Sequence, residues 1–206
     1  GLRFLSESCQ DLLVGGHKRA AAKLFSMTSI FTVRYGDLET ATQLRLQSLS
    51  LSIELGDLHG EAWSVWELGE IYRVAQDYHL ALEWFGKAEA LFTQEKGPFG
   101  PIFFQRGLGD LACLQGDFQH AELHFKESLK LANENKHPWA AAYALCGLGR
   151  SKMGSGQHQA AMRYFLDAAS IVKDLYNQEM ALVVIAGIAN LLLDLGKIEA
   201  AIELAV

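Results

Sequence analysis

Leu108-Gly109-Asp110-Leu111-Ala112-Cys113-Leu114-Gln115-Gly116-Asp117-Phe118-Gln119-His120-Ala121-Glu122-Leu123-His124-Phe125 is the stretch from which the rest of the chain is read. Its Leu-Gly pair stands 40 residues after Leu68-Gly69 and 40 before Leu148-Gly149, and Ile188-Ala189 falls on the same beat. Its Gly-Asp-Phe triplet has counterparts in Gly36-Asp37-Leu38, Ala75-Gln76-Asp77-Tyr78, Gly156-Gln157-His158 and Gly196-Lys197-Ile198. Ala121 belongs to the series Ala41, Ala81, Ala121, Ala161 and Ala201. Phe85, Phe125 and Phe165 come four residues after three of those alanines, and Ser48, Ala88, Ser128 and Ala168 hold the next small position. A long period kept through the whole chain marks a stack of identical supersecondary units.

The residue types state what each unit is. Apolar positions at helical spacing on both sides of a Gly-Asp or Gly-Lys turn give a helix, a tight turn and a second helix packed back against the first. Glycine suits the left-handed residue that ends helix A, and aspartate suits the N-cap of helix B. The small residue at the eighth position of helix A and the alanines of helix B allow close approach, and the phenylalanine fills the wedge between units. Pro98 and Pro138, one period apart, fall near the first turn of a following helix A, where a missing N–H costs little. No unit buries its apolar face alone, so stacking is the fold.

This pattern resembles the tetratricopeptide repeat over essentially the whole chain. Val65-x-x-Leu68-Gly69-x-x-Tyr72 is close to that family's W-x-x-L-G-x-x-Y. The resemblance implies an all-α, right-handed superhelical solenoid of antiparallel helix pairs, about 11 helices in a single array over residues 1–206. Repeats are expected at about 18–57, 58–97, 98–137, 138–177 and 178–206, with 1–14 as a partial helix B of a preceding unit. The 40-residue spacing exceeds the family's usual length of about 34 and implies helices longer by about a turn. The first unit departs most, with Thr28-Ser29 in place of Leu-Gly and Arg45 in place of the wedge phenylalanine. Both ends read as cut within helix pairs, as in a piece of a larger protein.

Composition narrows the function. Half of the residues are apolar and net charge is −6 with both signs interspersed, which argues against direct nucleic-acid or anionic-membrane binding. Cys9, Cys113 and Cys146 are isolated and odd in number, so a disulfide framework or zinc site is not expected and a reducing cytoplasm is. The apolar run Ala181 to Leu193, broken by Asn190, is shorter than the roughly 20 residues of a membrane span.

In a tetratricopeptide superhelix the A helices line the concave face, and the resemblance places particular side chains there. The second unit gives Trp63, Trp66, Glu70 and Arg73; the third gives Phe103, Arg106 and Asp110. Tyr143 and Arg150 come from the fourth unit and Asn190 from the fifth. Trp63, Phe103 and Tyr143 share one position in consecutive units and form an aromatic ladder. Aromatic residues and arginine dominate binding hot spots, so this groove is the expected partner-binding surface. The alternative is internal: the rings pack between adjacent A helices, Glu70 pairs with Arg106 and Asp110 with Arg150. Repeats that clamp a chaperone C-terminal carboxylate carry Lys and Asn at helix positions five and nine. Here those positions hold Ser26, Trp66, Arg106, Cys146 and Ala186, then Ile30, Glu70, Asp110, Arg150 and Asn190, which excludes that clamp.

Other signals carry little. Gly107-Leu108-Gly109-Asp110-Leu111-Ala112 matches a dinucleotide fingerprint loosely but falls within a helix A. His120 and His124 share a helix face without the adjoining glutamate or third ligand of a zinc site. No catalytic arrangement, metal site or cofactor site is expected. The linker from Ile53 to Ala62, with Glu54-Leu55-Gly56-Asp57 and Gly60, resembles those in the sensor regions of multidomain bacterial signal-transduction ATPases, LuxR-type transcription regulators among them. That resemblance implies repeats that sense a partner protein or a small inducer. A stand-alone adaptor holding an extended peptide is the other reading, since the same spacing occurs in eukaryotic spindle-orientation adaptors. Apolar residues of the terminal helices, Phe4, Leu5, Ile198 and Ile202, offer a surface for a homodimer.

Overall fold

The periodicity becomes helices that, apart from the short last one, are of similar length, most of them separated by three-residue turns. The computed structural model describes residues 8–9, 11–175 and 178–205, all in helices or the turns between them. After helical residues 8–9 and 11–14 come α1 (Lys18–Arg34), α2 (Leu38–Glu54), α3 (Leu58–Val74), α4 (Tyr78–Glu95) and α5 (Gly100–Leu114). These are followed by α6 (Phe118–Glu134), α7 (Pro138–Gly154), α8 (His158–Leu175), α9 (Gln178–Asp194) and α10 (Ile198–Ala205). The architecture is all-α, a series of antiparallel helix pairs of the tetratricopeptide type, with eleven helical elements among the described residues. Phe4 and Leu5 lie outside those residues. No described helix is long and apolar enough to cross a membrane.

Turn chemistry explains the boundaries. Gly36, Gly56, Gly116, Gly156 and Gly196 all have φ between 61° and 81°, the left-handed conformation that terminates a helix. Gln76 and Lys136 adopt the same conformation without being glycine, at φ 62° and 51°. The next residue caps the following helix. Asp37 accepts from the Thr40 amide, Asp57 from Gly60, Asp77 from Leu80 and Asp117 from His120. His137 does the same with its ring nitrogen toward Ala140, and Pro138 opens α7. Pro98 sits two residues ahead of α5, whose second residue is Pro101.

The chain forms two compact units, Gly1–Gly100 and Pro101–Val206. In the second, the phenylalanine wedge is explicit. Phe125 and Phe165 are fully buried. A Cβ placed on Gly109 would lie 2.8 Å from the Phe125 ring, and one on Gly147 would lie 2.4 Å from it. Gly149 and Gly187 flank Phe165 in the same way, at 2.7 Å and 2.4 Å. Each ring therefore fits only because two A helices lack a side chain beside it. Ala121, Ala161 and Ala168 are also fully buried along this seam.

The first unit solves the same problem once with phenylalanine and once without. Phe85 presses on Gly69, where an added Cβ would meet it at 2.5 Å. In the α1–α2 pair Ser29 occupies the glycine position, fully buried, and its hydroxyl donates to the Ala41 carbonyl at 2.8 Å. A Cβ at that site leaves no room for a ring. Arg45, 1% exposed, takes the place of the phenylalanine and directs its guanidinium to Ser26 and Glu67.

Candidate functional site

Two clusters gather most of the side chains that the sequence singled out. In the second unit Phe103 and Arg106 lie on α5, and Tyr143 and Arg150 on α7. The Arg106 guanidinium stands 5.8 Å from the Phe103 ring centre and 5.4 Å from that of Tyr143, within cation–π range of both. Asp110 is 5% exposed and sits between two arginines, 3.7 Å from Arg106 on its own helix and hydrogen-bonded to Arg150 of α7. The internal pairing of Asp110 with Arg150 is thus present, and the carboxylate holds the Arg150 guanidinium more firmly in its charged form. About half of the Arg150 side chain still faces solvent.

Trp139 and His137 complete the cluster, and sequence reasoning had not selected either. Trp139 meets Tyr143 in a tilted contact at 4.5 Å and lies 5.7 Å from Phe103, while His137 lies 6.0 Å from Phe103. The available signal was the Pro138-Trp139 pair, which fixes a large ring in the first turn of α7, at the register position of His59 and Phe99. Beneath this face are Cys113 and Cys146. Burial raises their thiols to about 11 and about 12, so neither is a thiolate at neutral pH.

In the first unit Trp63 is the partly exposed member of a second aromatic group. It meets Trp66 edge-on at 5.7 Å, Phe92 at 5.5 Å and His59 at 6.0 Å. Trp66 is 6% exposed, so its ring supports Trp63 from behind and offers little surface of its own. His59 also reaches Glu95 at 2.6 Å. Arg73 donates to both Glu70 oxygens at 3.1 Å, forming a fork along α3. Asn190 stands exposed on α9 and takes no part in these contacts.

The discounted signals have local explanations. Gly107 to Ala112 lies inside α5. His120 contacts the Asp117 carboxylate at 2.6 Å and His124 contacts the Gln105 amide at 2.8 Å. Among the described residues no group of three His, Cys, Asp or Glu side chains is placed to hold a metal.

Comparison with known proteins agrees with the geometry. Residues 60–134 match the tetratricopeptide repeat family model. Among solved structures, a Rap protein complexed with competence and sporulation factor superimposes with a TM-score of 0.76 at 15% identity, over 89% of this chain and 51% of its own. This chain therefore spans about half the length of that protein. BtubC (BKLC) from P. vanneervenii gives 0.72 at 15% identity, over 98% of this chain and 86% of its own. The nearly identical repeats of a putative kinesin light chain from Podosopora anserina give 0.52 at 15% identity, over 85% and 97%. A search of curated proteins returned no match.

Proposed function

We propose that this chain, whose fold is of the tetratricopeptide type, is a non-catalytic module that binds a protein or peptide. The observation that carries the reading is the Arg106 guanidinium between the rings of Phe103 and Tyr143, with Asp110 anchoring it from below. Rigid rings with a fixed cation lose little entropy on meeting a partner, and such residues dominate interface energetics. Trp63 supplies the corresponding ring in the first unit. Arg73 and Glu70 on α3, and Arg150 and Asn190 on α7 and α9, provide the polar contacts around these anchors. The Rap structure, solved with a bound factor, supports the reading by likeness of fold.

Within that function, we assign the chain to the partner-sensing part of a multidomain bacterial signalling or transcription regulator of the cytoplasm. The support is the Ile53–Ala62 linker. The module uses no cofactor and contacts no nucleic acid or membrane directly. Self-association through α10 fits the same reading, because Ile198 and Ile202 are 59% and 58% exposed. Light scattering over a concentration series tests that part.

Selection of random linear peptides on the immobilised chain tests the main reading. Tyr143→Ala or Arg106→Ala is expected to weaken the selected peptides at least tenfold, about 1.4 kcal/mol or more. Circular dichroism must show the variants folded. If every selected peptide binds Arg106→Ala, Tyr143→Ala and Trp63→Ala as it binds wild type, the assignment of this face is wrong.

A further inference from the structure

The place where Arg45 replaces phenylalanine is also a cavity. It has a volume of about 310 Å³, opens between α1 and α3, and is floored by α2. Its lining differs from the rest of the array in a concerted way. Arg45 stands in the register of Phe85, Phe125 and Phe165, and Glu67 in that of Gly107, Gly147 and Gly187. Ser52 replaces Phe92, Ala132 and Val172, while Ser64 replaces Phe104, Ala144 and Val184. Lys23 stands where Trp63, Phe103 and Tyr143 do. These five positions are elsewhere apolar or glycine, and the fold brings all five polar substitutes around one space.

The Arg45–Glu67 ion pair forms the floor of this space. Arg45 donates from Nη1 to the Ser26 hydroxyl at 2.6 Å, and from Nη2 to the Ser26 carbonyl at 2.9 Å and to Glu67 at 3.0 Å. Its Nε is buried with no acceptor. Buried N–H groups are rarely left unmatched, because the desolvation cost is not recovered. The charges around it are also uneven. Glu67 is committed to Arg45, and Asp57 accepts from the Gly60 amide at the start of α3. Arg19 and Lys23 are exposed at the rim, with no ion pair to either among the described residues. A singly charged anion answers the cationic rim, and the charged donors of Arg19 and Lys23 suit a carboxylate. A doubly charged phosphate meets Asp57 and Glu67 in the same lining and is disfavoured.

We propose that this cavity binds the carboxylate of a small organic acid or of a chain terminus, with Arg45 at its floor and Lys23 and Arg19 at its rim. The site belongs to the first unit alone and does not depend on the Phe103–Arg106–Tyr143 face. The cavity volume suits a ligand of few heavy atoms, at the lower end of the range for small-molecule pockets.

Calorimetric titration of the full chain with butyrate, with trialanine bearing a free or an amidated C-terminus, and with inorganic phosphate tests the proposal. Binding of butyrate in the millimolar range or tighter is expected, weakened at least tenfold in the Arg19→Ala/Lys23→Ala double variant and in Ser64→Val. Those side chains are at the rim or are small, so the variants keep the fold. Binding of free but not amidated trialanine, with the same losses, also supports the site and assigns its carboxylate to a chain terminus. Ser29→Gly with Arg45→Phe and Glu67→Gly rebuilds the wedge of the other repeats and is expected to abolish binding while keeping helical content. No heat with any carboxylate up to 10 mM, tighter binding of phosphate than of butyrate, or binding unchanged in the rim variants overturns the proposal.

Discussion

Replacing Gly147 and Gly86 separately by alanine should move stability in opposite directions, although both lie inside helices. At Gly147 the new methyl would sit 2.4 Å from two carbons of the Phe125 ring and 2.6 Å from a third. Carbon atoms normally stay about 3.5–4.0 Å apart, so more than 1 Å must be found. The ring cannot retreat, because it is fully buried and its other neighbour is Gly109, with 2.8 Å of clearance for a Cβ. Overpacking of this kind costs about 1–3 kcal/mol, against a helix-propensity gain of about 1 kcal/mol for alanine over glycine. A net loss of up to about 2 kcal/mol results. At Gly86 on α4 nothing lies within 4 Å of the added methyl, so only the gain of about 1 kcal/mol remains. The two variants should differ by about 1–3 kcal/mol, or roughly 2–12 °C in melting midpoint for a chain of this size. Thermal and urea melts followed by circular dichroism at 222 nm read the difference. Equal denaturant slopes confirm that the same transition is being compared, because repeat arrays can lose cooperativity. A Gly147→Ala protein that melts at or above wild type would refute the wedge argument. Partial recovery in Gly147→Ala/Phe125→Leu would show that the clash is with that ring.

Phe125→Ala, by emptying the wedge between Gly109 and Gly147, should cost about 3–5 kcal/mol by chemical denaturation. Arg150→Ala should destabilise more than Asp110→Ala, by about 1 kcal/mol, since it leaves the nearly buried Asp110 carboxylate with Arg106 at 3.7 Å, whereas the half-exposed Arg150 can turn to water. Equal losses would argue against that asymmetry. Burial, with the neighbouring His120 charge second, lowers the His124 pKa, so the folded state resists protonation there. Its contribution is therefore fully present above the unfolded value of about 6.5 and is lost as pH falls toward the lower folded value. His124→Gln should flatten the stability profile between about pH 7 and 5, and an unchanged slope would exclude this group as its source.

Much of this architecture was legible because it rests on local rules and a repeated one. The Gly-Asp turns fixed helix ends, and the regular glycine, alanine and phenylalanine positions fixed which faces meet. Site residues were legible only as far as the register carried them. Trp63, Phe103 and Tyr143 could be placed on equivalent positions, and the Asp110–Arg150 pair could be anticipated. Trp139 and His137 could not, because their role depends on which neighbouring ring they reach across two helices. Burial also separates residues that the register treats alike. Trp66 lies behind Trp63, while Arg106, at the same helix position as Trp66, bridges two rings.

The first repeat shows where the division falls. From the sequence alone, Ser29 and Arg45 break the pattern. The amino-acid order determines that a helix pair forms there, since capping and hydrophobic periodicity act within a few residues of one another. Only the tertiary structure decides what the break becomes, because Ser26, Arg45, Glu67 and Ser64 come from three different helices. Whether their charges and hydroxyls neutralise each other or leave a cavity depends on interhelical distances of a few ångströms, which no periodicity in the chain records.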